Sequence, residues 1–109
     1  MTPGYWILNE RGEPEETDDV LTWGLWFEQA TKERSRIVAQ DRDERPGAPD
    51  VLVSTVFLGL DHSFVPGPPV LWETLVMGGP LDGEMRRYTS REEALIGHAE
   101  VCQLVREKP

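Results

Sequence analysis

Two histidines, one cysteine and a few well-placed carboxylates are the residues with which this chain could do chemistry. His62 lies in "GLDHSF" (59–64), beside Asp61 and Phe64 and directly after the apolar run "VLVSTVFL". His98 lies in "EEALIGHAEV" (92–101), and Glu73 interrupts "VLWETLVM" (70–77). Asp61, His62, Glu73 and His98 are the candidate site, because carboxylates and imidazoles serve both acid–base work and metal ligation. The spacing argues against a strong assignment. There is no HxxxH, HxH or CxxC pattern, so no catalytic residue is assigned, no metal set is called and no cofactor is expected. Cys102 falls on a helical apolar stripe and reads as a small core residue, since a reactive thiol needs an electropositive, accessible setting. "GGPLDGE" lacks the Lys-Ser/Thr and the strand-to-helix context of a phosphate loop.

Each candidate also has a purely structural reading. His98 sits at the centre of an apolar stripe, so it is expected to be at least half buried and bonded to a backbone carbonyl or a hydroxyl. Asp61 is expected to brace loop N–H groups while Phe64 plugs the core. Glu73 is expected to face solvent or, if buried, to pair with Arg86 or Arg87. Gly97 costs about 1 kcal/mol in a helix interior and so suggests the close approach of another backbone. The 59–64 loop is expected to pack against the last helix near Gly97 and His98. Asp61 or a loop carbonyl would then accept a bond from an imidazole, in an Asp61/His62/His98 corner.

The elements that must position these groups follow from periodicity. "YWILN" and "PEE" read as two short strands around a turn. A helix follows over 18–30, capped by Thr17 or Asp18, with Val20, Trp23 and Phe27 on its core face. Leu21 and Leu25 fall nearly opposite, beside Glu28. Apolar groups on two sides of one helix point to a partner surface at Leu21, Leu25 and Glu28, or to a homodimer. A strand is expected near 36–40, and "RDERPGAPD" reads as a loop. Residues 51–58 are apolar on both alternating faces and form a central strand. Strands at 70–77 and in "EMRRY" follow. A last helix starts at a capping box, Thr89 with Glu92 or Ser90 with Glu93, and runs to about Arg106. Its stripe is Ala94, His98, Val101 and Val105, flanked by Leu95 and Cys102. The order is β-α-β-β-β-α with a small extra hairpin. The expected fold is an α+β single domain over 1–109: an antiparallel sheet of three to five strands with two helices packed mainly on one face.

Composition bounds the function. A chain of 109 residues buries roughly two-thirds of the surface it exposes when unfolded, enough for one core without disulfides. The formal charge is −9, from twenty acids against eleven bases. Such a surface repels phosphate backbones, so ordinary nucleic-acid binding is not expected, and basic partners are favoured. No apolar run approaches the length of a membrane span, and no signal peptide is read at the N-terminus. The lone cysteine suits a reducing compartment.

The blocks "VSTVFLGLDHSF", "PPVLWETLVMGGPLDGEMRRY" and "TSREEALIGH" resemble a group of small, uncharacterised phage and prophage proteins. "YWILNERGEPEE" followed by a tryptophan-rich helix fits as well. The chain departs from that pattern at "VPGPP", where the group is richer in glycine, and at Trp72, where phenylalanine is common. The resemblance implies a phage-type protein in the host cytoplasm that engages a host or phage protein, in host takeover or evasion of bacterial defence. It implies no reaction. The alternatives are a small enzyme or metal-binding protein using the Asp61/His62/His98 corner, and a structural virion component.

Overall fold

A computed structural model describes residues 4–47, 49–63 and 65–108; Phe64, expected as a core plug, lies outside the described residues. The chain opens with a hairpin, β1 (Tyr5–Leu8) and β2 (Pro14–Thr17). Its turn is held by the Asn9 side chain, which accepts from the Arg11 and Glu13 amides. Helix α1 (Val20–Glu33) follows. Its cap is Asp19 rather than Thr17 or Asp18: one carboxylate oxygen accepts from the Leu21 amide and the other from the Thr22 hydroxyl. The main sheet contains β3 (Ile37–Asp43), β4 (Val51–Phe57), β5 (Trp72–Met77) and β6 (Met85–Tyr88), antiparallel throughout in the order β3-β4-β5-β6. Strand β4 is central, as its two apolar faces require. Helix α2 (Arg91–Glu107) closes the fold, with Ser90 capping the Glu93 amide.

Register decides what meets what. Asp41, Val53 and Val76 share one row, and Thr55 and Thr74 share the next on the same face. Helix α2 lies across that face and buries Ala94, Gly97, His98, Val101, Cys102 and Val105. Leu95, expected to flank the stripe, is 38% exposed, because the helix meets the sheet through the Gly97–Val101 side instead. Arg45, in the β3–β4 loop, pairs with Asp43 at 3.1 Å and donates to the Val105 and Lys108 carbonyls. The loop thereby supplies a donor to the Lys108 carbonyl and a second donor to the Val105 carbonyl, which also accepts from the Lys108 amide at 3.2 Å.

Helix α1 joins the same face through aromatic contacts. Trp26 meets Phe57 edge-on at 5.8 Å, and Phe57 meets Trp72 at 5.5 Å. Gly59 is the junction between the N-terminal hairpin, α1 and the sheet. Its carbonyl accepts from the Trp6 amide (2.9 Å) and the Trp23 indole (2.8 Å). Its φ of +80° suits glycine, and a Cβ there would lie 3.3 Å from the Phe27 ring. The architecture is therefore an α+β single domain with both helices on one face. No described helix is long and apolar enough to cross a membrane.

Candidate functional site

Strand β3 runs three residues beyond the expected 36–40 segment, through "DRD". Acidic residues are poor strand formers, but pairing with β4 overrides that preference. The extension places Asp41 opposite Val53, on the face that α2 covers. His98 projects from α2 onto the same spot. Its Nε2 lies 2.6 Å from the Asp41 carboxylate and its Nδ1 lies 2.7 Å from the Thr55 hydroxyl. The Thr55 and Thr74 hydroxyls are 2.5 Å apart, and the Tyr88 hydroxyl donates to Thr74 at 3.0 Å.

Donor bookkeeping fixes the direction of this chain. A carboxylate only accepts, so Nε2 carries the hydrogen and donates to Asp41. In the neutral imidazole Nδ1 is then the bare nitrogen and accepts from Thr55, which accepts from Thr74, which accepts from Tyr88. The Thr55 and Thr74 hydroxyls each donate once and accept once, Tyr88 donates, and no described buried side-chain nitrogen or oxygen lacks a partner. Leaving any one unmade would cost about 1–3 kcal/mol, so the relay binds α2 to all four strands of the sheet in a single arrangement.

The outer end is open. The Asp41 side chain is 64% exposed, whereas that of His98 is 6% exposed. The hydrogen bond from His98 holds the Asp41 carboxyl below its ordinary value, against a smaller opposing effect of burial. Cys102, one turn beyond His98, places its sulfur 3.7 Å from the same carboxylate oxygen. Burial, and secondarily the Asp41 charge, push its thiol up to about 11. A concavity of about 160 Å³ lies alongside, lined by Asp41, Asp43, Val53, Cys102 and Arg106 among others.

These facts limit the chemistry. Asp41, His98 and Thr55 stand in the order of an acid, base and hydroxyl nucleophile, but Thr55 is 0% exposed and no substrate reaches it. Cys102 keeps its proton near neutrality and is not an activated nucleophile. What remains is a carboxylate, an imidazole and a thiol whose ligand atoms all lie within 4.8 Å of one another, beside an open concavity.

The expected candidates are dispersed. His98 is buried and bonded to a hydroxyl, as its structural reading required. Asp61 is the loop brace: its carboxylate accepts from the Ser63 (2.8 Å) and Val70 (2.9 Å) amides. His62 bonds the Leu60 carbonyl at 2.9 Å, so a loop carbonyl does meet an imidazole, but it is not that of His98. The Asp61/His62/His98 corner does not form. The loop instead joins the N-terminal hairpin, with the Asp61 amide donating to the Gly4 carbonyl and Leu60 bridging to Tyr5. The group pressed against Gly97 is the Tyr88 ring rather than a second backbone. Glu73 lies on the face away from α2, its side chain only 15% exposed, paired with Arg87 at 3.1 Å. Leu21 and Leu25 stand in solvent on α1, and Glu28 beside them pairs with Lys32 at 3.1 Å.

No sequence pattern marks Asp41 and the threonines as a site, because their meeting depends on strand register. One signal was legible: His98 and Cys102 are four residues apart, which places both on one face of α2. No family model, no curated protein and no solved structure matches the chain.

Proposed function

We propose that this is a small phage-type accessory protein that acts by binding a host or phage protein, with the solvent side of α1 as the docking surface. The observation that carries the reading is the Leu21–Leu25 ridge, with the two side chains 75% and 72% exposed on adjacent turns and Val20, expected on the core face but 52% exposed at the first residue of the helix, beside them. Fully covering a leucine is worth about 1.5–3 kcal/mol, so the ridge supplies a useful part of a helix-in-groove interface.

Gly24 supports the same surface. It sits inside the helix between the two leucines, and a Cβ there would meet nothing within 4 Å. The fold thus carries a residue about 1 kcal/mol worse than alanine with no internal need for it, and the bare position lets a partner approach the helix closely. Its charged neighbours on the chain are mainly acidic, with Asp18 and Asp19 exposed at the helix start and Glu28 exposed one turn past Leu25, where it pairs with Lys32. The complementary partner is an apolar groove edged by lysine and arginine. The phage-type assignment, and with it the role in host takeover or evasion of defence, rests on the resemblance of residues 53–98.

The test is affinity capture from an infected bacterial lysate with the wild-type chain and with a Leu21→Asp/Leu25→Asp variant whose helical circular dichroism is unchanged. A partner retained by the wild type and lost by the variant supports the reading. Recovery of the same proteins by both overturns it. If the occupant is a second copy of this chain, sedimentation shows a wild-type dimer and a monomeric variant.

A further inference from the structure

We propose that Asp41, His98 and Cys102 form a binding site for a thiophilic divalent cation of the zinc class at the seam between β3 and α2. The donor set, one carboxylate oxygen, one imidazole nitrogen and one thiolate sulfur, suits Zn²⁺ and its soft neighbours rather than Mg²⁺ or Ca²⁺. Ligand distances of about 2.0–2.3 Å place tetrahedral donors roughly 3.3–3.7 Å apart. The Asp41 oxygen already lies 3.7 Å from the Cys102 sulfur and 2.6 Å from His98 Nε2. The Asp41–His98 pair needs an adjustment of under about 1 Å, which Asp41 can make because its side chain is mostly in solvent, and the His98 and Cys102 donors, four residues apart on α2, lie within 4.8 Å of one another.

The surroundings are those that a histidine ligand requires. A metal-bound Nε2 needs its Nδ1–H held by an acceptor, and the Thr55 hydroxyl is in place at 2.7 Å. The Thr55–Thr74 bond behind it can run in either direction. With a cation at Nε2, Nδ1 donates to Thr55 and Thr55 to Thr74, while Tyr88 keeps its own bond to Thr74. The imidazole stays neutral, its proton moving from Nε2 to Nδ1, while the Cys102 thiol releases one proton to solvent. Carboxylate and thiolate together then balance the charge of the cation. Three protein ligands leave the fourth position to a water from the adjoining concavity of about 160 Å³, where one water occupies about 30 Å³.

The site is remote in sequence and in structure from the α1 ridge, so its failure and that of the binding surface are separable. The experiment is titration of the reduced full-length chain with Co²⁺, followed by displacement with Zn²⁺. One equivalent is expected to produce a thiolate-to-cobalt charge-transfer band and the visible bands of a four-coordinate ion, both removed by Zn²⁺. Cys102→Ser abolishes the charge-transfer band. Asp41→Asn, at an exposed position that leaves the fold intact, weakens Zn²⁺ binding by about tenfold or more. His62→Ala leaves the spectrum unchanged. Absence of the bands in the wild type, their survival in Cys102→Ser, or their loss in His62→Ala would overturn the site.

Discussion

Gly97 shows how one residue supports the buried relay. A Cβ at this position would lie 2.3 Å from the Tyr88 ring and hydroxyl. Tyr88 is only 9% exposed, and its hydroxyl is the first donor of the chain that ends at Asp41, so it has little room to withdraw. Two effects oppose one another in Gly97→Ala. Helix propensity favours alanine by about 1 kcal/mol, whereas overpacking a filled core costs about 1–3 kcal/mol. Overpacking prevails because the clash is with a ring held at both ends. Gly97→Ala is expected to lower unfolding free energy by about 1–2 kcal/mol in urea melts. A stabilised variant would mean that Tyr88 has slack that the packing does not show.

At the scale of elements, the structure has two parts joined at Gly59: the hairpin with α1, and the sheet with α2. The start of α1 depends on Asp19, which is fully exposed. The Thr22 hydroxyl and then the Leu21 amide, both donating to its carboxylate, lower its pKa from the ordinary 3.8. A group whose folded pKa is depressed adds stability that is present above its unfolded value and is lost as pH falls through the folded one. The contribution of the cap is therefore complete above about pH 4 and fades below it. Asp19→Asn keeps a competent cap but does not titrate. The difference in stability between wild type and Asp19→Asn is expected to be flat from pH 5 to 8 and to shift against the wild type as pH drops below 4, read by circular dichroism melts across pH. A difference that does not change with pH would show that the carboxylate charge contributes nothing to the cap.

Across the whole molecule the dominant electrostatic fact is the charge of −9. Salt screens two opposing effects. It weakens exposed ion pairs such as Arg11–Glu13, Lys32–Glu28 and Arg86–Glu100, which are worth about 0–1 kcal/mol each. It also weakens the mutual repulsion of the surplus acids, which destabilises the compact state. The pairs are few and mostly solvated, while the surplus is spread over β2, α1 and the β3–β4 region, so relief of repulsion is the larger effect. The melting temperature is expected to rise between about 0.01 M and about 0.15 M NaCl. A fall would mean that the ion pairs outweigh the net charge.

The elements follow from local pattern. A two-faced apolar run such as 51–58 has to be central, and a stripe at helical spacing such as Ala94–His98–Val101–Val105 has to face a sheet. The exposure of Leu21 and Leu25 was equally legible, because a helix can bury only one side against its own domain. The Asp61/His62/His98 corner failed for a physical reason of another kind. Two loop residues near a strand end can join either neighbour, and Gly59 with its two accepted bonds draws the loop to the hairpin and α1. Only tertiary structure decided that Asp41, just past the expected strand 36–40 and before the loop-like 42–50 segment, pairs into β3 and meets His98, fifty-seven residues further along the chain. Strand register carries that decision: a slip of one residue would turn Asp41 to the opposite face, and no local propensity records which register the sheet adopts.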